Sequence, residues 1–238
     1  MLKNDAGRAQ QNFIEFKLKA RRALFSDILT SAGGEKTSYP IPTYEALKGV
    51  VKSIYFKPTL TWFIDEVRVI KPICYHTEGV KLPAYDENKS DLSYFAYLKN
   101  VEYQVRAHFE FNTVRPEYSD DWNEGKHLSI ALRAVEAGGR RDIFLGRREC
   151  QGYVEPCVYG EGDGAYDDVP AIPYGLMEHG ITYPDEAILD EDKGWMTLRL
   201  WTPVMDHGII RFIRPEECVI KKRIRPMEIK QFDREGKH

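Results

Sequence analysis

The stretch Val101–Phe111, VEYQVRAHFEF, carries an apolar residue at every odd position and a polar one at every even position. Only an extended chain sends such residues to two opposite faces, so this segment predicts a strand with one side buried and a sheet around it. Its neighbours are legible. Phe13–Phe25, FIEFKLKARRALF, begins with the same alternation, and Thr61–Ile73, TWFIDEVRVIKPI, has the β-branched and aromatic residues of a strand. Between 75 and 95 the pattern is lost, which predicts a long turn or an irregular hairpin tip.

Two helices fall between these strands. Thr43 is an N-cap candidate for Tyr44–Phe56, YEALKGVVKSIYF, in which Leu47, Val50, Val51 and Ile54 supply one buried face and Pro58 stops the helix. Before it, Gly33 and Gly34 in TSAGGEKTSYPIP mark a structured loop, one without the GxxxxGK[ST] spacing of a phosphate-binding loop. The second helix spans Lys126–Val135, KHLSIALRAV, ends at Gly138 and Gly139, and is followed by a short strand, RDIFLG. The order is β-α-β-β-α-β, so the expected class is α+β with a ferredoxin-like core whose two helices cover one face of an antiparallel sheet.

A length of 238 residues fits one large or two small domains. The chain changes character near 160. From Glu161 to Asp192 it holds ten acidic residues and no Lys or Arg, and beyond it WMTLRLW and HGIIRFI read as strands. A division at 1–154 and 155–238 follows, the second part small and β-rich. The formal charge of -3 conceals this asymmetry, because outside the acidic segment 34 basic residues face 27 acidic ones, a difference of +7. A polyanionic partner therefore stays open. No apolar run approaches eighteen residues and the first residues, MLKNDAGRAQQNF, lack a secretion signal, so no membrane association and a cytoplasmic location are expected. Cys74, Cys150, Cys157 and Cys218 form no CxxC pair and read as reduced thiols.

Among residues that can carry chemistry, NEGKH at 123–127 is the most informative. Its glycine ends a loop, which places Lys126 and His127 beside unpaired N–H groups at a helix start, a setting that attracts phosphate. There a lysine can stabilise developing negative charge and a histidine can exchange a proton, although an exposed loop pair has the same sequence. Tyr55 can orient or deprotonate a nucleophile only if it is held next to His127; otherwise it is packing. Arg140, Arg141, Arg147 and Arg148 surround Phe144 in RRDIFLGRREC, a mixture that can hold phosphates and stack a base, or can be a solvated strand edge. Lys17, Lys19, Arg21 and Arg22 on the first strand, and Lys221, Lys222, Arg223 and Arg225 near the C-terminus, are further RNA-binding candidates. No histidine or acidic pattern of a metal site occurs, and no metal or cofactor is expected.

The strings GGEKTSYPIPTYEALKGVVKSIYFKP, VEYQVRAHFEF, NEGKHLSIALRAVEAGGRRDIFLGRRECQGYVEP and HGITYPDE together resemble the CRISPR-associated repeat-processing endoribonuclease of subtype I-C, the Dvulg group, over about Phe13 to Ile229. The resemblance implies a modified RRM, or ferredoxin-like, domain joined to a small β-rich one. It implies a metal-independent endoribonuclease that cuts the stem-loop repeats of CRISPR precursor RNA, leaving a 5'-hydroxyl and a 2',3'-cyclic phosphate. Such a protein then stays on the 5' handle of the guide beside the backbone and large subunits of the interference complex, and is a monomer before assembly. The family's catalytic Tyr, Lys and His match Tyr55 in KSIYFKP and Lys126 and His127 in NEGKH. The first strand, KLKARRALF, departs from the family's aromatic and acidic pattern, which bears on handle contacts there. A noncatalytic handle-binding subunit of the same assembly is the alternative.

Overall fold

The computed structural model describes residues 12–27, 30, 35–83 and 90–229. Its centre is the strand that the alternation marks. β4 (Ser90–Phe111) lies between β1 (Phe13–Ala23) and β2 (Leu60–Val69), with Phe16 opposite Val105 on one edge and Val67 opposite Val105 on the other. β6 (Gln151–Pro156) pairs with the free edge of β1, giving the antiparallel order β6-β1-β4-β2. The chain is thus a mixed α+β protein dominated by antiparallel sheet.

Residues 75–83 and 90–95 differ from expectation. They are regular strand, with β3 (Tyr75–Pro83) paired along the first half of β4 from Tyr75↔Leu98 to Pro83↔Ser90; the expected tip at 84–89 lies outside the described residues. The periodicity is missing because Tyr75, His76 and Thr77 are exposed, and alternation appears in a sequence only where one face is buried. The short strand expected from RDIFLG is likewise reduced to β5 (Ile143–Phe144); the longer partner of β1 is the following segment, β6.

The first helix, α1 (Tyr44–Ile54), is capped by Thr43, whose Oγ1 accepts from the Ala46 N–H at 3.2 Å. It buries Leu47, Val50, Val51 and Ile54, the expected face, against β2. The second, α2 (Glu124–Glu136), packs Ala131, Ala134 and Val135 toward β1 and β6. Gly138 and Gly139 follow with φ of 78° and 102°, a left-handed exit that glycine makes without strain. Gly33 and Gly34 lie outside the described residues.

The later chain continues the first sheet. β11 (Ile209–Arg211) pairs with β2, Ile210 opposite Val67, and leads outward to β10 (Val204–Asp206) and β7 (Ile172–Pro173). A second sheet has the order β12-β9-β8, formed by Ile220–Pro226, Trp195–Trp201 and Met177–Thr182. Met177, Trp201, Met205 and Ile210 join Ile14, Phe16 and Val105 in one continuous core. The sequence boundary at 154/155 falls inside β6.

The acidic segment is spent largely on ion pairs. Asp167 binds Arg68 through two contacts of 2.7 and 3.2 Å, Glu186 holds Lys48 at 2.8 Å and Lys52 at 3.3 Å, Asp192 pairs with Arg199, and Glu191 pairs with Lys221. Arg68, Lys48 and Arg199 are all buried. A buried cation needs a compensating charge, and this stretch supplies it. Among the described residues, no helix is long and apolar enough to cross a membrane.

Candidate active site

Tyr55 is one residue beyond α1. Its backbone is extended (φ -152°, ψ 119°) while its N–H still bonds the Val51 carbonyl at 2.9 Å, so the phenol leaves the helix axis toward the start of α2. The Tyr55 carbonyl is fixed by the Trp62 indole N–H at 2.9 Å. Across the gap, Asn123 caps α2, accepting from the Lys126 N–H at 3.0 Å with its side chain and from the His127 N–H at 3.1 Å with its carbonyl. The N–H groups of Lys126 and His127 themselves are therefore occupied by the cap.

These two anchors bring Tyr55 Oη within 2.8 Å of His127 Nδ1. Nε2 of the same ring faces the Asp121 backbone carbonyl at 2.8 Å. A carbonyl can only accept, so Nε2 carries a proton; in the neutral ring Nδ1 then accepts from the tyrosine hydroxyl. Phe109 and Phe111 stand edge-on to the imidazole at 6.3 and 6.4 Å, and the histidine is fully buried. Burial pushes the Tyr55 phenol above its ordinary pKa, opposed by the Arg140 guanidinium, which sits 5.0 Å from the ring centre.

Lys126 is about half exposed and its ammonium pairs with Asp121, whose other oxygen accepts from Thr59 Oγ1 at 3.0 Å. The Lys126 hydrogen bond, helped by Thr59, holds the Asp121 carboxyl below the usual range. Asp121 thus engages Lys126 with its side chain and His127 with its backbone. Sequence reading passed over Asp121 and Thr59. PEYSDDWNEG offers several acids at similar spacing, and only the short 3-10 helix Pro116–Asp121 selects one.

The other candidates lie in separate places. Arg140 and Arg141 donate their backbone N–H groups to the Ser53 carbonyl at 3.2 and 3.1 Å, beside Tyr55. Phe144 and Arg147 line a groove along α1, with Arg147 Nε on Ser26 Oγ at 3.0 Å, and Arg148 is exposed on the adjoining turn. Lys17 and Lys19 share one face of β1 and pair with Glu102 at 3.6 Å and Glu155 at 2.9 Å. Arg21 is exposed near the strand end, while Arg22 pairs with Glu78 at 2.8 Å. On β12, Lys221 binds Glu191 and Arg223 lies over Trp195 at 5.2 Å; Lys222 and Arg225 are exposed.

The arrangement is a buried tyrosine–histidine pair with an exposed lysine at its rim, fit for proton transfer next to an anion. The family model described as "CRISPR-associated protein (Cas_Cas5)" matches residues 13–213. A protein of Mannheimia succiniciproducens named CRISPR pre-crRNA endoribonuclease Cas5d is 37% identical over 188 residues, covering 68% of this chain and 74% of its own. A solved structure described as "Crystal Structure of CRISPR-associated Protein" superposes with a TM-score of 0.71 at 33% identity. Another, the functionally uncharacterized protein SMU1763c from Streptococcus mutans, gives 0.72 at 35%. Each of the two covers 88% of this chain and 96% of its own. The chain belongs to the Cas5d family of type I-C CRISPR-associated proteins.

Proposed function

We infer that the protein is a metal-independent endoribonuclease that cuts CRISPR precursor RNA once per repeat, with Tyr55, Lys126 and His127 as its catalytic residues. The observation that carries the reading is the Tyr55–His127 hydrogen bond in a chain related to a named pre-crRNA endoribonuclease. A tyrosine with a raised pKa is a poor base alone. With Nδ1 ready to take its proton, the phenol can accept one from a ribose 2'-hydroxyl in the same step. The 2'-oxygen then attacks the adjacent phosphorus, the P–O5' bond breaks, and the departing 5'-oxygen takes a proton from water, whose hydroxide is neutralised by the proton held on His127. Lys126, moving from Asp121 to the phosphate, stabilises the crowded anion. The products are a 2',3'-cyclic phosphate and a 5'-hydroxyl.

Several wider readings accompany this one. The order β6-β1-β4-β2, with α1 against β2 and α2 against β1 and β6, supports a ferredoxin-like, modified RRM core over 1–154, extended by the smaller β-rich part over 155–238. After cleavage the protein stays on the 5' handle, beside the backbone and large subunits of the interference complex, in the cytoplasm, and it is a monomer before assembly. Arg140, Arg141, Phe144, Arg147 and Arg148 form the RNA path nearest the reaction centre; the cations of β1 and β12 extend it.

The test is incubation of the purified protein with the CRISPR repeat RNA of its own genome in EDTA, with both ends of each product mapped. A single cut with the stated ends supports processing. Tight binding without a cut by folded protein means a noncatalytic handle-binding subunit instead.

A further inference from the structure

Gly49 occupies the middle of α1, where glycine costs roughly 1 kcal/mol of stability relative to alanine. No packing requirement explains it. Its backbone is ordinary helix, and a Cβ built there meets nothing within 4 Å. The glycine instead leaves open the floor of a groove of about 410 Å³, a size that suits a small ligand or one nucleotide.

The groove runs beside α1 from Ser53 to Glu45, about 12 Å at the helical rise of 1.5 Å per residue. Its Ser53 end adjoins the reaction centre, because the Ser53 carbonyl holds the backbone of Arg140 and Arg141. The opposite wall carries Phe144, the last residue of β5, and Arg147, on the turn after it. That turn is pinned. Gly146 (φ 88°) lies so close to the first strand's end that a Cβ would come within 2.0 Å of the Leu24 carbonyl oxygen. At the far end stand two carboxylates. Glu45 is committed to Lys48 and to the Ile181 N–H, at 2.9 and 3.0 Å. Glu178 is half-buried and, among the described residues, has neither a hydrogen-bond donor nor a cation as partner.

We propose that this groove is a base-reading pocket for a guanine of the repeat RNA next to the cut site, with Phe144 stacking on the base, Arg147 meeting the backbone phosphate and Glu178 accepting from the Watson–Crick edge. The proposal rests on the endoribonuclease reading and deepens it. An ionised carboxylate only accepts, and guanine alone among the four RNA bases offers two adjacent donors, N1–H and the 2-amino group, on that edge. Uracil sets its single N–H between two carbonyls, which repel a carboxylate. Burial and the neighbouring Glu45 raise the Glu178 pKa, a penalty that a pair of N–H donors relieves.

The experiment uses the full chain and repeat RNA with a 2'-deoxy substitution at the scissile nucleotide for binding, and all-ribose RNA for cleavage. Each guanosine is replaced singly by inosine, which lacks only the 2-amino group. In the wild type, one position should lose at least fivefold in affinity; in Glu178→Gln that position should become insensitive. Gly49→Leu should bind about tenfold more weakly while its melting temperature stays level or rises. A scan with no sensitive guanosine, or a Gly49→Leu protein that binds and cuts like the wild type, would overturn the pocket while leaving the cleavage reading intact. Wild-type protein that neither binds nor cuts the repeat overturns both.

Discussion

The Tyr55 phenol oxygen and Nδ1 of His127 are 2.8 Å apart, and the other ring nitrogen is committed to the Asp121 carbonyl. In the proposed reaction the histidine therefore acts on the RNA through the tyrosine rather than beside it. That relation orders the expected effects of substitution.

Tyr55→Phe removes one oxygen and leaves the ring packed against its neighbours. Single-turnover cleavage should fall by roughly 10²–10⁴-fold, the usual loss when a positioned acid–base group is deleted. Affinity for the uncleavable 2'-deoxy repeat should change by less than about threefold, since that substrate lacks the 2'-hydroxyl the phenol would meet and the side chain is otherwise buried, 1% exposed. An equal loss of binding and cutting would reassign Tyr55 to affinity.

Arg140→Ala withdraws the cation lying 5.0 Å from the Tyr55 ring centre, and the phenol pKa should climb further. A cation–π contact at such a site is worth about 0.5–1 kcal/mol, so cleavage should slow by about two- to fivefold. Arg140→Lys should recover part of that. Rates measured across a pH series would show the effect growing nowhere if the guanidinium acts only on RNA phosphates.

Lys48 tests the acidic segment. Its ammonium is buried with Glu186 at 2.8 Å and Glu45 at 2.9 Å, so Lys48→Met leaves Glu186 with Lys52 alone and Glu45 with the Ile181 N–H. Breaking such a pair from one side costs roughly 3–5 kcal/mol. Urea unfolding should register that loss. A change below 1 kcal/mol would mean that the carboxylates find water or another cation.

Stability should also form a dome in pH. Burial lowers the His108 pKa, but hydrogen bonds to Asp65 and Glu110 outweigh it and lift the value to about 9 from 6.5. Its contribution is whole below pH 6.5 and disappears as pH rises through about 9. Burial likewise pushes Glu186 upward, yet Lys48 and Lys52 bring it down to about 2, so its share is whole above pH 4.5 and fades as pH falls toward about 2. His108→Gln should flatten the alkaline limb and also soften the acid limb, because its hydrogen bond is the main force that brings Glu110 down to about 2; urea midpoints between pH 3 and 10 read both.

How far the sequence speaks depends on burial. Val101–Phe111 announced the central strand because its apolar face is covered, whereas Tyr75–Leu82 stayed silent because Tyr75, His76, Thr77 and Lys81 are exposed and Val80 is only partly covered. The proposed catalytic trio was carried over through the family resemblance of NEGKH and KSIYFKP, but the Tyr55–His127 distance joins positions 72 residues apart, which no local pattern encodes. Asp121 was hidden among equivalent acids until a 3-10 turn chose it. Gly49 did carry a signal, a glycine inside an otherwise good helix, whose meaning depends on the empty groove beside it.

The central claim is that the RNA's own 2'-hydroxyl is the nucleophile, activated by the Tyr55–His127 pair. It is tested most directly by replacing that one hydroxyl with hydrogen at the scissile nucleotide of the repeat and measuring cleavage in EDTA. The account predicts intact binding, no cut at that phosphate, and a 2',3'-cyclic phosphate from the all-ribose control. Cleavage of the deoxy substrate at the same phosphate would contradict it.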